Sequence, residues 1–421
     1  MVLAALILAS LAQVGNGSAA SDLRTAAGSS CVRPYSDSSP WNTAIGGDPA
    51  YAPDSGRRVG QINGELSSDP SQFTYPVYAA ARSRPVTKVK VLEAISKIRR
   101  GGAALSNRKR GTLRIPLPKG ARASTQTGQL IVVGPKSGEE WGVFGLGRQG
   151  RGWTALFGYK FSTKTDGVPA IGKDGGGLAA RAGVSYLAGL VRACEIASGK
   201  IDHALALAFG SASIAHITPL RGTNGSDGSP DALQVGARLQ LDPDLSQADL
   251  AELGCAGACY TMAQAMQEYG AFVVGRSGRP KIYVEHNFTA RWRGAVRADT
   301  VSAIPVDRLR VLDLAGELRL AKKFKRTKPR AGKVLRAFVD VVPATADAGA
   351  RGRVICSATI GAKRALKPIR ALATSLQGGI ERAECRWRIP AGAKGQKVDA
   401  SLKVVYQHGG VRKDFVARIA R

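Results

Sequence analysis

The residue types best suited to chemistry fall in one stretch. IDHALALAF (Ile201 to Phe209) is followed by a polar, glycine-rich loop carrying Arg221, Asn224 and Asp227, and then by GARLQLDP (Gly236 to Pro243). A neutral imidazole takes or gives a proton near neutral pH, which makes His203 the first candidate for a general base. Both flanks alternate as strands do, so Asp202 shares a face with Ala204, Ala206 and Ala208, where small side chains leave room for a ligand. On the return strand, Arg238 and Gln240 face away from Leu239 and Leu241 and are suited to binding a sugar hydroxyl or carboxylate. Tyr269 is a candidate proton donor and Glu285 a further carboxylate.

Two chemistries fit this set. Eliminative cleavage of a uronate needs a base (His203), a donor (Tyr269) and cations, Arg221 and Arg238, to neutralise the sugar carboxylate. Glycoside hydrolysis needs two carboxylates across a cleft, which Asp202, Asp227 and Glu285 would supply. Substrate contacts fall to Arg221, Asn224, Arg238 and Gln240. Each candidate also has a plainer reading. Ile201, His203, Leu205, Leu207 and Phe209 project together, as a core histidine would require, and Met262, Ala265, Met266 and Tyr269 form a packing stripe.

No cofactor is expected. His203, His216 and His286 come from separate segments without the spacing of a helical zinc site, and His408 in HGG suits a hairpin turn. GKDGGG (Gly172 to Gly177) lacks the order of a phosphate loop and reads as a surface loop. There is no GxSxG, which disfavours a serine hydrolase.

The elements that must hold these residues are mainly strands. TYPVYAA, VTKVKVL, TLRIPLP, GQLIVVG, EEWGVFG and GWTALFGYKF are short, β-rich and separated by turn residues, the spacing of a sandwich or jelly roll. RRGGAALSNRKRG between them reads as a basic solvent loop. Ser246 with Asp249 predicts a capping box opening a short helix, and Tyr260 to Tyr269 predicts a second helix. AFVV and KIYVEHN read as strands joined by the RSGR turn. From about Leu320 a basic run, KKFKRTKPRAGK, precedes strands LRAFVDVV, RVICSATI, ECRWRIP, ASLKVVYQ and VRKDFVARI. The expected division is a signal peptide at 1–20, an extended lead-in at 21–72, a jelly-roll-like β-sandwich with a short helical insertion at 73–305, a basic linker at 306–333 and a small Ig-like β-sandwich at 334–421.

Residues 1–20 form an apolar run too short to span a bilayer as a mature helix, followed by small residues suited to cleavage. The chain is therefore expected to be secreted or wall-associated and monomeric, with no transmembrane helix. Six cysteines in an exported chain favour disulfides. Cys356 and Cys385 have inward parity on two strands of the last domain and are expected to pair beside Trp387. The other four allow three pairings, with Cys255 to Cys259 and Cys31 to Cys194 preferred. A net charge of +30 points to polyanions, and the absence of a basic stripe interleaved with aromatics disfavours nucleic acid.

The order of SPWNTAI, GWTALFGYKF, AGVSYLAGLV, IDHALALAF, GARLQLDPDL and MQEYGAFVV, over roughly Pro40 to Asn287, resembles a largely uncharacterised family of exported proteins from soil actinobacteria. The resemblance implies a jelly-roll-like β-sandwich with a helical insertion, and it carries no activity over. Related sequences place a histidine, as DGH, where this chain has Thr127, Gly128 and Gln129. The last hundred residues resemble the basic Ig-like modules appended to many such proteins. Together these observations lead to an exported carbohydrate-active protein. Its expected partner is an anionic polysaccharide or cell-wall polymer, and its expected role is either cleavage of that polymer or noncatalytic glycan binding.

Overall fold

The computed structural model describes residues 31–420 apart from 32, 81–85, 99–104, 135, 173–175, 314–316 and 362–363, so the expected signal peptide lies outside the described residues. The described chain is mainly β, with several sheets and little helix. Its helices are α1 (Ser55–Val59), α2 (Ala193–Ser198), α3 (Gln247–Glu252) and α4 (Ala258–Glu268). No helix among the described residues is long and apolar enough to cross a membrane.

The central sheet has five strands in the order Lys281–Ile282, Leu205–Phe209, Ala271–Arg276, Arg238–Leu241 and Leu309–Val311. Leu205–Phe209 runs parallel to Ala271–Arg276 and antiparallel to Lys281–Ile282. Every residue of Leu205–Phe209 and Arg238–Leu241 is buried, which is why these strands tolerate apolar side chains on both faces. Trp41 of the lead-in packs edge-on against Phe272, so the extended segment is part of this core. The Ala204, Ala206 and Ala208 face, expected to leave ligand room, is filled, and all three alanines are buried. AFVV and KIYVEHN pair with the strand between them in the sheet and not with each other. At α3 the capping box forms as the spacing requires, with Ser246 accepting from the Asp249 N–H and Asp249 from the Ser246 N–H.

An eight-stranded sheet covers Val77 to Ser162, with two parallel pairs, Val77–Ala79 with Leu130–Gly134 and Thr87–Ile98 with Gly152–Ser162. Part of the stretch expected to be a basic solvent loop is its strand Leu105–Arg108.

The C-terminal region is a pair of sheets. One holds Arg319–Arg326, Val334–Val342, Glu381–Arg388 and Pro368–Ser375, and the other Gly409–Arg418, Lys397–Val405, Arg353–Ile360 and Arg364–Leu366. The Cys356–Cys385 disulfide joins the two sheets beside the fully buried Trp387. Cys255–Cys259 and Cys31–Cys194 are also bonded. The expected linker contains the strands Leu309–Val311 and Arg319–Arg326, and Leu318 and Leu320 belong to the C-terminal core. Lysines along this edge strand discourage pairing with another chain.

One strand crosses between the regions. Ala215–Ile217, from the span of the first expected domain, pairs with Gly409–Arg418 of the last, and Ile214, Ala215 and Ile217 sit in the C-terminal core.

Candidate functional site

At this crossing the three regions enclose a cleft of about 680 Å³. The eight-stranded sheet contributes Arg108, Lys109 and Gln129, the central region Tyr186, His216, Arg221 and Asn224, and the C-terminal sheet Lys403 and Arg412. Five lining residues are cationic, and no Asp or Glu occurs among the described lining residues. The cleft is therefore a basin of positive potential whose low-dielectric walls concentrate the field.

Arg221 fastens the polar loop to its surroundings. Its Nε donates to the Pro169 carbonyl at 3.0 Å, and Nη1 donates to Thr218 Oγ1 at 3.0 Å and to the Gln407 carbonyl at 2.7 Å. Burial lowers its pKa below the ordinary guanidinium value, against the nearby charges of Asp166 and Asp347. Gly177, at the end of GKDGGG, packs so closely that a Cβ there would lie 2.0 Å from the Gly183 carbonyl oxygen and 2.5 Å from Arg221 Cβ. This end of the segment is a tight wall of the cleft and not a loose surface loop.

His216 lies opposite Gly410, where an added Cβ would approach its Cε1 to 2.7 Å, so glycine is what admits the imidazole. The ring is buried, and its Nδ1 has no hydrogen-bond partner. Burial, followed by the charges of Lys403 and Arg221, pushes its pKa down to about 3. The imidazole is therefore neutral across the working pH range.

Behind the cleft, Tyr186 stacks on Tyr75 with ring centroids 4.8 Å apart, and its backbone N–H donates to Tyr159 Oη at 2.8 Å. The Tyr159 hydroxyl donates to Glu140 Oε1 at 2.6 Å, and the Ser185 hydroxyl also bonds that carboxylate. Burial raises Glu140 to about 7, and the hydrogen bonds from Ser185, Tyr159 and Tyr35 only partly oppose it.

Of the residues expected to form a site, Arg221 and Asn224 line the cleft, Asn224 with its Oδ1 accepting the Arg276 N–H at 2.9 Å. The others are placed elsewhere, most of them in structural contacts. His203 precedes its strand, is buried, donates Nδ1–H to the Ala204 carbonyl at 2.9 Å and bonds Glu195 Oε1 through Nε2 at 2.9 Å. Burial alone would lower its pKa, and the Glu195 charge and hydrogen bond outweigh this and hold it above the ordinary value. Asp202 is half exposed and pairs with Lys200 at 2.7 Å. Asp227 accepts the Ser229 N–H. Arg238 donates to the carbonyls of Tyr269 and Thr43, and burial pushes it down to about 10. Gln240 accepts from the Tyr51 hydroxyl at 2.6 Å and donates to the Gln267 carbonyl at 2.7 Å. Tyr269 is buried at the end of α4, and Glu285 forms a 2.7 Å ion pair with Arg192.

From sequence, His216 stands out only as a candidate metal ligand, and nothing singles out Lys109 or Lys403. A usable signal was the position of His216 immediately before the polar loop. The histidines do not converge, and no group of three metal-ligating side chains is present among the described residues. No protein-family model matches the sequence, and comparison with curated proteins finds no match.

Proposed function

We propose that the cleft binds an acidic polysaccharide and that the protein handles this polymer outside the cell. The observation that carries this reading is a cationic lining without a described carboxylate, to which the neutral His216 belongs. Hydrolysis calls for two facing carboxylates, so eliminative cleavage fits the lining better. In that reaction Arg221 and Lys403 offset the carboxylate charge of a uronate, and the bound carboxylate in turn relieves the cationic surroundings that lower His216, which takes the C5 proton. The C4–O bond breaks as the C4–C5 double bond forms, and the Tyr186 hydroxyl protonates the leaving oxygen.

Noncatalytic glycan binding is the second reading, and Gln129 favours it. This residue lines the cleft at the position where the sequences that the chain resembles carry histidine, and its Oε1 is occupied by the Thr127 hydroxyl at 2.6 Å. The finer fold assignments belong to the same proposal. The cross-sheet disulfide beside Trp387 supports an Ig-like C-terminal module, whereas the parallel pairs of the body depart from the antiparallel jelly roll that residues 73–305 are expected to form.

Incubation with a panel of uronate and neutral polysaccharides tests the function, with binding, unsaturated-product absorbance and reducing ends read together. Uronate binding with unsaturated product supports elimination. Uronate binding without product selects the second reading, and the absence of binding to every uronate rules out both.

A further inference from the structure

Arg412 lines a second groove as well, about 580 Å³ in volume, on the outward face of the C-terminal five-stranded sheet. Arg412 is common to the two spaces, and the pairing register sets the second groove beside the first. Lys403 lies opposite Arg412, Ser401 opposite Asp414, and Asp399 opposite Val416, with Ser357 and Thr359 alongside on the next strand. Side chains two apart share a face about 7 Å apart, so the row from Lys403 through Ser401 to Asp399 leads out of the cleft along one surface. The intervening Ala400 and Leu402 point into the core.

The charge changes along that row. The cleft lining is cationic, whereas the second groove presents Asp399, Asp414, Ser357, Thr359 and Ser401. Its one cation, Arg412, pairs with Asp414 at 2.9 Å, and exposed Asp399 has no ion pair among the described residues. A uronate here would meet a like charge. A neutral sugar would donate its hydroxyls to the carboxylates and accept from the serine and threonine hydroxyls.

We infer that the outward face of the C-terminal sheet is an extension of the cleft that seats an uncharged stretch of the same chain, so that the ligand is a mixed polysaccharide in which acidic sugars are flanked by neutral ones. The inference rests on the proposed binding of an acidic polysaccharide in the cleft. It gives the C-terminal module a part in recognition.

The test uses the full chain and three probes, namely a short uronate oligomer, a long homouronate, and an alternating uronate and neutral-sugar oligomer of the same length as the homouronate. Calorimetry should show the alternating oligomer binding about tenfold more tightly than the matched homouronate. Ser401→Trp should erase that advantage and leave the short uronate unaffected, and Thr359→Lys serves as an independent block should the first variant fail to fold. Asp399→Lys should shift preference toward the homouronate. Equal or tighter homouronate binding by the unaltered protein, or an advantage that survives both blocking variants, overturns the extension while leaving the cleft reading intact. Failure of the short uronate to bind removes the cleft reading and the extension with it.

Discussion

His203 and His216 are both buried histidines, yet the two regions that hold them treat their nitrogens differently. Beside the central sheet, both nitrogens of His203 are engaged, by Glu195 and the Ala204 carbonyl. Arg238, Gln240 and Glu285 are bound in the same manner by partners within that core. At the junction of the sheets, His216 keeps an unpartnered Nδ1 beside the charges of Lys403 and Arg221. Where packing closes on both faces, the fold satisfies most of the polar side chains it buries. Where three regions meet, charged and polar side chains line a cavity, and such a place can recognise something else.

The sharpest way to break this contrast is to remove a partner inside the core. Glu285→Ala strands Arg192 and should cost about 3–5 kcal/mol by chemical denaturation, with loss of cooperativity at elevated temperature. A cost below about 1 kcal/mol would show that the core pair is dispensable.

The wall between the two regions should respond to pH. Glu140 is raised to about 7 in the folded state from an ordinary value of 4.5, so the unfolded chain releases this proton first. The Glu140 contribution to stability should be complete below about pH 4.5 and fall by something on the order of 3 kcal/mol as pH rises to about 7. His203, also raised, contributes in the same direction and His216, lowered to about 3, in the opposite one, so only the comparison with Glu140→Gln isolates the carboxyl. The stability of the unaltered protein relative to that variant should fall by about 3 kcal/mol across this interval, and a constant difference would count against the buried carboxyl.

A smaller effect of opposite sign is expected at the junction. His216→Leu removes a buried nitrogen that lacks a partner and should stabilise by about 1 kcal/mol while abolishing uronate turnover. Destabilisation by several kcal/mol would mean that the imidazole is structural after all. The smallest stability change, within about 0.5 kcal/mol, belongs to the double variant Arg108→Ala with Lys109→Ala on the exposed rim. Its effect should appear in glycan affinity, and salt titration of binding is the measurement to make.

Much of the architecture is legible in local patterns. Alternation locates the strands from Gly111–Ile115 to Gly152–Ser162, parity pairs Cys356 with Cys385, and the Ser246 and Asp249 spacing forms its cap. Less of the site is legible, because its value depends on distant neighbours. Nothing around Ile201 to Phe209 reveals that both strand faces are covered, which closes the alanine face beside Asp202. Nor does anything near His216 announce Gly410, whose missing side chain makes space for the ring. Arg319–Arg326 reads as a linker because its charges fit an exposed segment, and an edge strand with Leu320 turned inward satisfies the same pattern.

The pairing of Ala215–Ile217 with Gly409–Arg418 also sets a timetable. The Thr218 hydroxyl donates to the His408 carbonyl 190 residues further along the chain. At typical synthesis rates of 5–20 residues per second, the earlier strand waits about 10–40 s for its partner. Throughout that interval Ile214 and Ile217 have no core to enter, and an unpaired strand with apolar flanks invites pairing with a neighbouring chain. The cleft is accordingly among the last features of the molecule to take shape, and a nascent chain stalled before Gly409 would present a sticky edge where the finished protein has its basic basin.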